Sequence, residues 1–191
     1  AWEADLADNG EIAGGALADT WALADSANSR VDLLDPILDI GQAYMPTGLN
    51  FSGTGRLPFR SQRGPARGVY FENDGVRLLG AGAWQVTVEV RASWVTLQSA
   101  DIRYRVNCYD TNGDLYTYQE YLDMTSESTH SVSFGADFVV PEPGYFISVS
   151  VHDVAVGRKH LGGWAATRLV AKRWSSEFIN PPEGGASESE S

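Results

Sequence analysis

The chain has one cysteine, Cys108, among its 191 residues. No disulfide can close within a single chain, and a zinc site built on two or four cysteines is excluded. Histidine is nearly as scarce. His130, His152 and His160 are the only three, and none stands at His-x-His, His-xxx-His or HExxH spacing. Each is expected at a surface or interface rather than on a metal. No apolar run approaches the roughly 20 residues that cross a bilayer. A P-loop, a GxGxxG after a strand and a GxSxG elbow are all missing. Serines and carboxylates are plentiful, but nothing in their order singles out a triad or an acid–base pair. The chain is therefore expected to be no enzyme and to use no cofactor. The opening AWEADLADNGE has neither the basic nor the apolar region of a secretion signal, and synthesis in a cytosol-like compartment is the expectation.

Positive charge is in short supply too: 14 Lys and Arg face 25 Asp and Glu, for a net charge of −11. The deficit lies at the ends. Residues 1–40 hold nine acids and one Arg, and residues 175–191 hold four Glu and no base. The middle is nearly balanced. An acidic whole repels nucleic acid and anionic membrane, so neither is expected as a partner.

Residues 1–45 read as an acidic segment carrying a helix over about 16–34. Leu17, Trp21, Ala24, Asn28, Val31 and Leu34 trace one stripe at steps of three and four, apolar except at Asn28. Such a helix can lie on its own domain or join a short bundle between chains, where Asn28 in the seam would fix register and chain number. Asp35-Pro36 should interrupt it, with a short turn over Ile37 to Ile40. Residues 46–68, PTGLNFSGTGRLPFRSQRGPARG, are rich in Gly, Pro and Ser and read as an extended arm. Arg56, Arg60, Arg63 and Arg67 lie in it with no acid between them. They are candidates to pair with the acidic segment of a neighbouring subunit.

From Val69 to Trp174 the periodicity is two. Trp84, Val86, Val88, Val90 and Ala92 alternate with Gln85, Thr87, Glu89 and Arg91, as in a strand with one buried face. Ile102, Tyr104, Val106 and Cys108 alternate in the same way, which makes Cys108 a small buried hydrophobe. GYFISVSVHD, LYTYQEYL, HSVSFGADFVV and ATRLVAKRW are further strands. Turn signals separate them and no helical pattern intervenes. The fold class expected for 69–174 is mostly β, an antiparallel jelly-roll-type sandwich. The acidic tail, 175–191, is expected to be flexible.

Two local features bear on function. YDTNGDLY, Tyr109 to Tyr116, places oxygen-bearing side chains at alternate positions, like a calcium loop. Counted from Asp110, however, Leu115 falls where an EF-hand needs Gly, and Tyr121 falls where it needs Glu. A hairpin tip set by Asn112-Gly113 is the better reading. The strand after it carries Tyr116, Tyr118 and Leu122 on one parity and Leu115 and Tyr121 on the other. A strand apolar on both faces in a small sandwich suggests a subunit contact. Trp84, Trp94, Trp164 and Trp174 flank strands and can be core or edge packing, a sugar platform or an interface anchor.

The opening GVYF, the run GAGAWQVTVEV, the late PEPGYFISVSV and the closing GGWAATRLVAKRW resemble the trimeric jelly-roll domains typified by tumour necrosis factor and the globular heads of complement. The layout of acidic helix, arm and knob also resembles small structural proteins of tailed phages of actinobacteria, of the minor-tail or capsid-decorating kind. That resemblance implies a non-catalytic virion protein, assembled in the host cytoplasm. It would trimerise and dock on other virion proteins through its helix and arm. A carbohydrate- or receptor-binding module, with a host surface glycan as partner, is the alternative.

Overall fold

A computed structural model describes residues 37–95, 101–124 and 128–177. The helix expected over 16–34, with Leu17, Trp21, Asn28, Val31 and Leu34, lies outside the described residues, as does the tail beyond 177. The described residues form strands and no helix. In chain order the strands are β1 (Asp39–Tyr44), β2 (Asn50–Ser52), β3 (Gly55–Arg56), β4 (Ser61–Gln62), β5 (Val69–Glu72), β6 (Gly75–Leu78) and β7 (Gly82–Ala92). There follow β8 (Ile102–Tyr109), β9 (Leu115–Asp123), β10 (His130–Val140), β11 (Phe146–Asp153), β12 (Lys159–Leu161) and β13 (Arg168–Ser175).

They make two sheets, antiparallel throughout. The first runs β2-β12-β7-β13-β1-β4, with β10 also paired to β7; the second runs β5-β6-β11-β8-β9, with β3 also paired to β11. Between the sheets the alternation anticipated from sequence is realised. Trp84, Val86, Val88, Val90 and Ala92 of β7 face Ile102, Tyr104, Val106 and Cys108 of β8 across a closed core. Phe134, Ala136, Phe138 and Val140 of β10 and Leu169 and Ala171 of β13 complete it. Each large apolar side chain buried there contributes roughly 1.5–3 kcal/mol. The Cys108 thiol sits inside this core, and burial pushes its pKa up to about 12. It is a packing group rather than a thiolate.

The sandwich starts earlier in the chain than the sequence suggested. Ile37–Ile40 is not a turn: Asp39–Tyr44 forms β1, in register with β13 from Asp39↔Arg173 to Tyr44↔Arg168. Residues 46–68 are not a free arm. Met45, Leu57 and Phe59 are fully buried, and β2, β3 and β4 pair with β12, β11 and β1. Gly and Pro shorten these strands to two or three residues, too few to show a period. The apolar side chains between them still reach the core. The unit that holds both sheets accordingly begins at Ile37.

Gly68 closes this region. Its φ is +66°, and a Cβ there would lie 2.0 Å from the Asp39 carboxyl carbon. Asp39 is buried and pairs with Arg173 of the neighbouring strand. Gly68→Ala should therefore cost about 2 kcal/mol, from backbone strain plus displacement of a buried ion pair. Urea unfolding of the variant checks this, and an unchanged midpoint would contradict it.

Candidate assembly surface

Strand β9 is at the edge of its sheet, and among the described strands its backbone pairs with β8 alone. The strand that the sequence shows as apolar on both faces is, within one chain, exposed on both. Leu115 is 51% exposed, Tyr116 50%, Tyr118 46% and Leu122 47%. The reason is geometric. Tyr104, Val106 and Cys108 are core residues of β8, so their partners Tyr121, Gln119 and Thr117 point the same way. The facing edge strand β10 covers only part of that side. A cleft of about 180 Å³ lies between β9 and β10, lined by Val106, Gln119, Tyr121 and Phe134 among others. Gln119 spans it, donating to the Asp137 carbonyl at 3.0 Å.

The side chains on this edge are held in place. Tyr116 meets Tyr145 edge to face, centroids 5.1 Å apart. The Arg105 guanidinium lies 4.5 Å from the Tyr118 ring centroid and donates to Glu120. That hydrogen bond holds the Glu120 carboxyl below its usual pKa. Tyr121 stacks on Phe134 at 5.0 Å, and Phe134 stacks on Tyr104 at 5.0 Å. The outcome is a long strand edge with apolar side chains on both sides and both of its carboxylates, Glu120 and Asp123, paired. Such an edge invites a further chain.

Behind the stack lies a fully buried polar side chain. His160 on β12 is fully buried, against the expectation of a surface histidine. The pairing of β12 between β2 and β7 turns its ring into the core. Its Nε2 is 3.0 Å from the Tyr104 hydroxyl. Burial pushes its pKa down to about 4, and burial also raises that of Tyr104. The phenol therefore donates to a neutral imidazole. His130 instead hydrogen-bonds the Asp123 carboxylate through Nε2 at 2.7 Å, and its Nδ1 lies 3.3 Å from both the Arg158 guanidinium and the Ser128 carbonyl. His152 is on the surface, 3.0 Å from the Ser150 hydroxyl.

The arginines of residues 46–68 are dispersed over their own domain. Arg60 makes a two-pronged pair with Asp74. Arg63 lies 4.0 Å over the Trp164 ring. Arg67 donates to the Ile37 carbonyl. Arg56 donates to the Asn73 carbonyl at 3.0 Å and lies over the Phe146 ring. Of the strand-flanking tryptophans, Trp84 is core, its Nε1 donating to the Gly80 carbonyl at 2.9 Å. Trp94, Trp164 and Trp174 are exposed.

The Asp110 loop is a hairpin tip joining β8 to β9. One Asp110 carboxylate oxygen accepts from the amides of Asn112 and Asp114, at 2.8 and 3.0 Å. Only Gly113 takes positive φ there, so the tip is an Asx-type turn rather than the Asn-Gly turn expected. The turn with two consecutive left-handed residues is Asn73-Asp74, between β5 and β6, at φ 47° and 63°. Among the described residues no three His, Cys, Asp or Glu side chains converge as metal ligands, and no helix is long and apolar enough to cross a membrane.

No protein-family model matches this chain, and no curated relative matches it. Solved structures do resemble it. It superposes on Eiger TNF from S. frugiperda with a TM-score of 0.54 at 9% identity, covering 78% of this chain and 99% of that one. Against murine APRIL at pH 5.0 the TM-score is 0.51 at 15% identity, covering 71% and 98%. The two sheets of this chain are thus a jelly roll of the tumour-necrosis-factor type.

Proposed function

We propose that this chain is a non-catalytic assembly protein that forms a homotrimer through the β9 edge. The observation that carries the reading is that edge: Leu115, Tyr116, Tyr118 and Leu122 exposed on a strand with one unpaired side. A second copy of the same chain is the natural cover. The outward face of the opposite sheet pairs Arg168 with Glu89 and carries small residues at Ser133 and Gly135. The sequence resemblance supports the wider reading. The chain is a virion component of a tailed phage, tail or capsid, put together in the host cytoplasm. The acidic segment before Ile37 docks the β-domain onto other virion proteins.

Proteomics of purified particles tests the wider reading. The chain should be recovered in fixed stoichiometry, with cross-links from residues 1–36 to another virion protein. Abundance in the lysate with absence from particles would contradict it. A receptor- or glycan-binding role is the second reading. It is favoured by a pocket of arginines and aromatic rings at the β8–β9 hairpin.

A further inference from the structure

On the solvent face of the second sheet, Arg77 of β6, Phe146 of β11 and Tyr109 of β8 stand side by side as cross-strand neighbours. Arg56 comes from β3, which pairs with β11 further along. Both guanidiniums cover the Phe146 ring, at 5.3 Å for Arg56 and 5.4 Å for Arg77. Arg56 also lies 5.8 Å from the Tyr109 centroid. The hairpin tip and the Asn73 turn wall the row in, giving a pocket of about 360 Å³. That is near the lower end of ligand pockets, roughly 300–1,000 Å³, with room for a sugar ring and its substituents.

The two arginines are not equivalent. Arg77 is engaged by Glu72 and by the Gly144 carbonyl. Arg56 donates from Nη1 to the Asn73 carbonyl and has no carboxylate within ion-pair distance among the described residues. Its Cζ lies over the Phe146 ring, and its remaining donors are available. A stacked, partly used guanidinium is prepared for a carboxylate or a phosphate. The rest of the lining chooses between them. Asp110 and Asn112 offer acceptors, and Asp110 repels a dianion that has no donors of its own. A ligand with one negative charge, several hydroxyl donors and a C–H face for Tyr109 satisfies every wall.

The geometry points to this pocket as a binding site for a carboxylate-bearing sugar, with Arg56 holding the carboxylate and Asp110 and Asn112 receiving hydroxyls. The inference rests on the glycan-binding reading and not on the trimer, because every wall belongs to one chain.

Titration of the full chain by NMR with N-acetylneuraminic acid, glucuronic acid, glucose and inorganic phosphate tests it. At least one of the two sugar acids should bind with a dissociation constant on the order of 1 mM, as ligand efficiencies allow for roughly one to two dozen non-hydrogen atoms. Glucose and phosphate should bind about tenfold more weakly or worse. Arg56→Gln should reduce the binding roughly tenfold, and Arg56→Lys should restore only part of it, because an ammonium lacks the fork. Asn112→Ala, at an exposed tip, should weaken binding several-fold and serves if an Arg56 variant fails to fold. No shifts with either acid, equal affinity for phosphate, or undiminished binding by a folded Arg56→Gln protein each overturns the assignment. Sedimentation of the same samples separates this failure from failure of the trimer.

Discussion

Acidification from pH 6.5 to pH 4 is expected to remove about 3 kcal/mol of folding stability through His160. The folded-state pKa is about 4 and the ordinary value is 6.5. Between those values the unfolded chain takes up a proton that the folded chain refuses. The contribution is complete above pH 6.5 and is lost as pH falls toward 4. Burial is the main cause, and the positive charge of Arg158 adds to it. Protonation would turn Nε2 into a donor facing the Tyr104 hydroxyl, which has been donating to it. His160→Gln removes the titration while keeping an acceptor near Tyr104. Urea midpoints of the wild type and this variant should converge as pH falls through the window. Parallel curves would show that His160 does not titrate as its burial requires.

Placing aspartates at Tyr118 and Leu122 together is expected to weaken self-association at least about 100-fold. Both side chains are about half exposed in the single chain, so the fold has little need of them. Arg103 lies directly across from Leu122, and an aspartate there keeps a local partner. Tyr118 gives up its contact with Arg105, worth about 0.5–1 kcal/mol at an exposed site. Light scattering should report monomers whose thermal transition is only slightly lowered. A variant that associates as the wild type does would remove β9 from the interface.

Much of this could be read before the fold was known. Alternation in β7, β8 and β10 is long enough for period two to stand out, and it places Trp84, Tyr104 and Phe134 in the core. The apolar edge was visible in LYTYQEYL as apolar residues of both parities. Its exposure was not visible, because sequence cannot show that β10 leaves β9 uncovered. The strands β2, β3 and β4 were illegible. Two or three residues carry no period, and their glycines and prolines read as loop. His160 was illegible for a related reason, since its burial depends on pairing with β2 and β7, far away in sequence. The arginine pocket left one signal. Phe146 stands at a position of β11 where alternation calls for a polar side chain, and an aromatic there needs a cover, which Arg56 and Arg77 supply.

The most direct measurement is sedimentation equilibrium of the full chain over a wide concentration range. The account predicts a dominant species of three times the 20.7 kDa chain mass, dissociating without unfolding when Tyr118 and Leu122 are replaced. A folded monomer at every concentration would contradict it.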